Sequence, residues 1–247
     1  MDSQDHHEDS SPENRELAGV LWKLGRLLPG YSEINWQESR KRCGEVLSKF
    51  SLRSEKSRRI ADLLEGQPHK VGGDEHHIVR VSSDPCRVYK VTHGDNFGCR
   101  SYFSPVDPEL AGHLHGETNA DPFFYLERWG LLNSLGEYQT RFEGIIPPEK
   151  EGWLPRICVS QPQLPGTNPT PQEIREALAK YEFREISIGA FYQPTINVLL
   201  TDAVPRNVRI VEGLPIPFDA IAQLPSERVR DWAIARCETL RHQITGI

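Results

Sequence analysis

No apolar run in this chain approaches the ~18–20 residues needed to span a bilayer, and no membrane-crossing helix is expected. Cysteine is scarce and scattered. Cys43, Cys86, Cys99, Cys158 and Cys237 are odd in number and form no CxxC pair, which argues against a disulfide framework or a zinc ribbon and favours a reducing cytoplasm. Positive charge is not in excess either. A net charge of -6 gives the whole chain no electrostatic reason to seek nucleic acid or an anionic membrane, although a local basic groove stays open. The opening MDSQDHHEDSSPEN has neither the apolar stretch of a signal peptide nor any periodicity, and residues 1–14 read as a disordered acidic tail.

What remains is ordinary globular material: 247 residues, 37% apolar and 26% charged, enough for one large domain or two small ones. Leu17, Val20, Leu21, Leu24, Leu27 and Leu28 recur at helical spacing until Pro29-Gly30, and further helices are predicted over Trp36–Phe50 and Ser54–Leu64. Together they make residues 15–66 a helical N-terminal extension. After His69 the pattern turns strand-like. His76–Val81 and Arg87–Val91 flank Ser82-Ser83-Asp84-Pro85 as a hairpin, and a long loop follows over 93–121. A helix is expected from Asp121-Pro122 through Leu135, and a buried strand over Arg156–Gln161. Thr170-Pro171-Gln172-Glu173 spells a capping box for a helix reaching Tyr181. Strands are predicted at Thr195–Leu200, Val208–Val211 and Ile216–Phe218, with a closing helix from Pro225 to His242. The class is α+β.

The chemistry concentrates between Leu199 and Asp219. An apolar strand delivers Asp202 into a short loop, and Asn207 follows five residues on, just before a second strand. A turn at Glu212-Gly213 reverses the chain. Asn207 and Asp219 lie six residues either side of Gly213, so a hairpin brings them together at its open end. Two hard oxygen donors side by side suit Mg²⁺ shared with phosphates. Asp202 beside them is placed to accept a hydroxyl proton, and phosphoryl transfer asks a protein for little beyond positioning, charge neutralisation and such an acceptor. Taken alone, the same three residues also suit a loop whose Asp and Asn cap local backbone.

An Asp five residues before a metal-binding Asn, with a metal-binding Asp closing the next hairpin, resembles the protein-kinase-like superfamily. Thr201-Asp202 departs from its His-Arg-Asp lead-in, and Asp219-Ala220-Ile221 replaces Asp-Phe-Gly. The resemblance implies a glycine turn, a strand lysine, a helix glutamate and an inter-lobe linker, in that order. Gly72 and Gly73 answer to the nucleotide-covering turn, where a plain hairpin turn is the alternative. Lys90 answers to the lysine that contacts α- and β-phosphates, where a solvated strand residue is the alternative. Glu127 answers to the glutamate that orients Lys90, with Glu117 as its competitor. Gln161, in Ser160-Gln161-Pro162, lies at the linker facing the adenine edge.

The chain also resembles a narrower group, the kinase-like domains of polyvalent proteins carried by phages and mobile genetic elements. The likeness rests on Gly73–Val79, Arg87–Thr92, Asn96-Phe97-Gly98, Tyr125-Leu126-Glu127-Arg128, Ser160-Gln161-Pro162, and Asp202–Asn207 with Asp219, and spans about residues 68–224. It implies a compact bilobal fold over 67–247, with an N-lobe over about 67–160 and a reduced C-lobe over about 161–247, since only 28 residues follow Asp219. It further implies ATP and Mg²⁺ as cofactors, a protein or small-molecule hydroxyl as acceptor, and a bacterial or phage cytoplasm. A pseudokinase-like binding module and a nucleotidyl transferase on the same fold are the alternatives. His113-Leu114-His115 and Glu75-His76-His77 lack the further ligands that zinc requires. Trp129, Trp153 and Trp232 read as core, and the basic clusters at 39–42 and 56–59 as solvated helix faces.

Overall fold

The computed structural model describes residues 36–53, 55–67, 69–71, 75–103, 114–117, 120–136 and 139–245. The acidic tail, the helix expected over 15–28 and the pair Gly72-Gly73 lie outside them. No helix among the described residues is long and apolar enough to cross a membrane. The architecture is mixed α+β with antiparallel sheets. The described residues form two compact units, drawn from Met1–Gly98 with Asn119–Gln163 and from Cys99–Thr118 with Leu164–Ile247.

The first unit holds α1 (Trp36–Arg53), α2 (Glu55–Leu64), β1 (His69–Val71), β2 (His76–Val79), β3 (Arg87–Thr92), α3 (Pro122–Ser134), β6 (Arg141–Ile146) and β7 (Arg156–Pro162). Its strands make one antiparallel sheet in the order β1-β2-β3-β7-β6. The β2–β3 hairpin closes at Ser82–Pro85 as the sequence predicts. Because side chains alternate along a strand, Tyr89 and Val91 point to one face and Lys90 to the other. Tyr89 and Val91 join Val79, Val81, Ile146 and Cys158 against Ile60 and Leu64 of α2. Helix α2, expected within a helical N-terminal extension, is therefore part of this core, because it needs an apolar face to bury and the sheet supplies one.

The contact is close. At a bulge in β6 between Phe142 and Gly144, a Cβ on Gly144 would meet Ile60 Cγ2 at 2.9 Å and Ser57 Cα at 3.0 Å. Ser57 Oγ accepts from the Ile145 N–H at 2.9 Å, so the helix satisfies a donor on the sheet's edge strand. Helix α3 begins where Asp121 accepts from the Phe124 N–H at 2.9 Å, with Pro122 at its first position. Its far end is tied to β6 by Asn133, which donates to the Thr140 carbonyl and accepts from the Thr140 N–H. Strand β6 was not expected from the sequence, because a glycine and two charged residues interrupt its apolar alternation.

The second unit holds β4 (Arg100–Phe103), β5 (Leu114–Glu117), α4 (Pro171–Ala179), β8 (Arg184–Ser187), β9 (Ala190–Gln193), β10 (Val198–Thr201), β11 (Arg209–Val211), β12 (Leu214–Ile216), β13 (Ile221–Gln223) and α5 (Glu227–Thr245). Strands β4 and β5 pair antiparallel inside what the sequence reads as a loop over 93–121. The four-stranded sheet runs β13-β10-β9-β8. Helix α5 lays Val229, Ala233 and Cys237, spaced four apart, on Ile186, Ala190, Tyr192 and Leu199 of that sheet. The capping box of α4 forms as predicted, Thr170 and Glu173 each satisfying the other's backbone N–H, although the helix stops at Ala179 rather than Tyr181.

Three expected strands of the second unit shift. The strand predicted from Thr195 begins at Val198, because Asn197 takes a left-handed conformation (φ 54) and ends a turn. That predicted from Val208 begins at Arg209. The one predicted over Ile216–Phe218 is Leu214–Ile216, because Glu212 and Gly213 both have positive φ (52 and 81) and form a two-residue turn that returns the chain directly into pairing. The final stretch is not a helix alone; β13 precedes it. None of the five cysteines forms a disulfide.

Candidate functional site

In the second unit, Asp202 leaves the end of β10 with φ 51, a left-handed backbone that an L-residue adopts only when its surroundings impose it. The imposing contacts are local. The Ala203 N–H donates to the Gly189 carbonyl at 2.9 Å, and the Asn207 N–H to the Val204 carbonyl at 2.8 Å. The Asn207 amide then donates to Asp202 Oδ2 at 2.7 Å and to the Asp202 carbonyl at 2.9 Å. Arg206, largely exposed, reaches the same carboxylate, at 3.0 Å from Oδ1. Arg209 lies over the Phe218 ring at 4.9 Å and donates to the Val208 carbonyl, which braces the strand leaving the loop.

Asp219 arrives by two routes that reinforce each other. Its N–H donates to the Asn207 carbonyl at 3.2 Å, and β13, which starts two residues later, pairs Ile221 with Thr201, the residue before Asp202. Asp202, Asn207 and Asp219 are thus brought together, the last two from symmetric positions about Gly213. The sequence reading missed β13, which closes the arrangement; the apolar Ile221-Ala222 after Asp219 was its one signal.

The donor set is two carboxylates and one amide. No group of three or more His, Cys, Asp or Glu side chains suited to a metal occurs among the described residues, so this set would leave most of a cation's coordination to water or phosphate, as Mg²⁺ prefers. The Asn207 N–H groups are spent on Asp202, while its amide oxygen accepts no hydrogen bond among the described residues. That leaves the hard donor atom as the free one, and the residues fit the ion.

In the first unit, the strand lysine is not solvated. Lys90 is 3% exposed, with Nζ 4.8 Å from the centroid of the Trp129 ring. Arg128 lies against the same ring, its Cζ 4.6 Å from the centroid. One Arg128 nitrogen donates to both oxygens of Glu75, at 2.7 and 2.9 Å. Burial alone would push the Glu75 carboxyl up, but the Arg128 guanidinium, with His76 adding to it, outweighs burial and holds it well below the usual carboxylate range. His76 Nδ1 lies 3.4 Å from Glu75 Oε1, too poorly aligned to count as a hydrogen bond. Glu127, expected to orient Lys90, stands half-buried on α3 beside this cluster. Glu75 is the carboxylate that Arg128 anchors.

Glu75 and Arg128 were missed as a pair. The available signal was a charged residue inside the apolar run Phe123–Leu132, since a buried charge needs a partner. Gly98 completes the group. Its φ is 88, and a Cβ there would stand 2.5 Å from Glu75 Oε2. Gly98→Ala is expected to displace the carboxylate from Arg128 and cost about 1–3 kcal/mol, measured by urea unfolding; an unchanged midpoint would contradict the packing described.

Gln161 sits in β7, buried, its amide donating to Thr140 Oγ1 at 3.1 Å. The next backbone donor along, the Gln163 N–H, goes to the Cys86 carbonyl at 2.8 Å. Trp129 is fully buried, whereas Trp153 and Trp232 are half-buried, Trp153 lying under the Lys150 ammonium at 4.4 Å. Compared with known proteins, the chain matches no family model, no curated protein and no solved structure.

Proposed function

We propose that this chain is an ATP- and Mg²⁺-dependent phosphotransferase of bilobal protein-kinase-like fold, acting on a hydroxyl of a protein or small molecule. The observation that carries the reading is the convergence of Asp202, Asn207 and Asp219 on one loop and hairpin. Asp202 is the proton acceptor for the attacking hydroxyl. Its carboxylate is positioned by Asn207, and Arg206 beside it supplies a positive charge where negative charge gathers during transfer. The Asn207 oxygen and Asp219 would hold the magnesium ion, which when bound neutralises phosphate charge and fixes phosphate orientation. Lys90, buried on its strand, is the residue assigned to the nucleotide phosphates.

The test is incubation of the full chain with labelled ATP and Mg²⁺, alongside a melting curve with and without Mg-ATP. Label transfer to the chain itself, to added proteins or to small alcohols is expected, together with a rise in melting temperature of the kind any ligand selective for the folded state produces. Absence of both overturns the reading.

A second reading has one observation in its favour. Both Asp202 oxygens are engaged, by Arg206 and by Asn207, a pairing that also suits a structural loop in a binding module without catalysis. A melting-temperature rise with Mg-ATP but no label transfer would favour that module.

A further inference from the structure

The turn between β8 and β9 is two residues long, Ile188-Gly189, and it closes beside the loop that carries Asp202. Two contacts fix it there. The Gly189 carbonyl accepts from the Ala203 N–H at 2.9 Å. A Cβ on Gly189 would stand 3.1 Å from Val204 Cγ1, so a glycine, here with φ 68, lets the turn lie close against the loop. The same hydrogen bond is one of those that hold Asp202 in its left-handed conformation. Position 188 is therefore tied to the candidate proton acceptor through a short backbone path. Standard backbone dimensions put the Cα atoms of Ile188 and Asp202 at most ~12 Å apart.

The Ile188 residue is 97% exposed. The other exposed large apolar side chains among the described residues are far better covered, the next being Leu224 at 51%. A β-branched aliphatic gains nothing from water, and a two-residue turn does not ask for one; Gly, Asn and Asp serve there. The exposure also says what can cover it. A side chain that stands clear of its neighbours lines no pocket, so a small alcohol at Asp202 could not enclose it. An opposing macromolecular surface can. Val204 and Pro205 are half-buried in the adjoining loop and keep that stretch of it apolar, which suits a protein side chain better than a phosphate backbone. The net charge of -6 points the same way.

We propose that Ile188 is a specificity-determining residue, docking an aliphatic side chain of a protein acceptor while a hydroxyl of the same segment reaches Asp202. This role rests on the phosphotransferase reading given above. In that reaction the acceptor oxygen bonds to the γ-phosphorus of ATP and the bond from that phosphorus to its bridging oxygen breaks. ADP departs with the electron pair, and the hydroxyl proton passes to Asp202. Ile188 takes no part in these steps; it selects which hydroxyl arrives. An extended segment rises about 3.3 Å per residue, so the docked side chain lies within about four residues of the hydroxyl.

The test uses a peptide library with one central serine or threonine and randomised flanks, incubated with the full chain, labelled ATP and Mg²⁺. Selection of an aliphatic residue at one position within about four residues of the hydroxyl is expected. A peptide with leucine there is expected to be used about tenfold better, by kcat/KM, than the same peptide with alanine, the scale of burying an aliphatic side chain. Ile188→Ser is expected to bring that ratio to about unity, and Ile188→Leu to retain it. Ile196→Ser removes an exposed isoleucine from the turn at the far end of the β9–β10 pair and is expected to leave the ratio intact. Damage to the fold lowers both rates and leaves their ratio, so a merely structural role for Ile188 predicts no change in it.

The outcomes separate the two claims. No label transfer to peptide, protein or small alcohol overturns the phosphotransferase reading and the docking role with it. Label that reaches no peptide but does reach other acceptors overturns the docking role alone. So does peptide labelling without aliphatic selection, or a preference that survives Ile188→Ser or is lost equally in Ile196→Ser.

Discussion

Replacing Arg128 by methionine is expected to cost about 3–5 kcal/mol of folding stability at neutral pH, the range for breaking a buried ion pair by removing one partner. Methionine fills much of the arginine's volume, so the loss is electrostatic: it leaves the largely buried Glu75 carboxylate without the cation that had been 2.7 Å away. In a chain of this size the change corresponds to a fall in melting temperature on the order of 10 °C. The pH dependence gives a stricter check. In the unsubstituted protein the Glu75 pKa is lowered on folding, so its contribution is fully present above the ordinary value of 4.5 and is lost as pH falls below it toward the folded-state value. In the variant, burial without the guanidinium pushes the carboxyl the other way. The gap between the two proteins should therefore begin to narrow above pH 4.5, as the stranded carboxylate takes up a proton, and narrow further below it as the unsubstituted protein loses its own contribution. Removing both charges, in Glu75→Gln with Arg128→Met, should recover much of the loss. Denaturant titrations at pH 7 and pH 4 would settle the matter, and a pH-independent loss would refute the electrostatic account.

The second large effect concerns catalysis. Asp202→Asn is expected to lower kcat by about 10²–10⁴-fold, the range attributed to a positioned general base, with little change in KM for ATP. The substitution is chosen for what it preserves. Asparagine can still accept from the Asn207 amide through its oxygen, and it tolerates the left-handed backbone at this position at least as well as aspartate. Stability should stay within about 0.5 kcal/mol. Only the capacity to take up a proton is lost. A variant that kept full activity would remove Asp202 from the chemistry and leave it as a loop-shaping residue paired with Arg206.

Much of this was legible because the determining interactions are short in sequence. The starts of α3 and α4 are written in Asp121-Pro122 and Thr170-Pro171-Gln172-Glu173, where capping needs only a few neighbours. The convergence of Asn207 and Asp219 follows from one turn at Glu212-Gly213. What escaped depends on distant partners. Strands β6 and β8 carry charged residues and become strands through the edges they pair with, β7 and β9, rather than through their own alternation. The β4–β5 pairing brings together segments that flank ten intervening residues. Glu75 and Arg128 are 53 residues apart, and no local pattern names one as the other's partner. The sequence reading named Glu127 as the acidic residue on α3; its neighbour Arg128, buried in the same helix, is the residue paired with Glu75.

The bulge in β6 has a consequence for modularity. By bending the edge strand it turns the Ile145 N–H outward, and the hydroxyl of Ser57 on α2 receives it, with Gly144 leaving room for the helix backbone to come so near. The fold therefore has a different seam from the one the chemistry suggests. A segment cut at residue 67, where the resemblance to kinases begins, would carry every residue assigned to nucleotide and metal, yet expose an unsatisfied strand edge and the apolar face of its own sheet. A piece meant to fold on its own should therefore begin before Glu55, so that α2 stays with the sheet it covers.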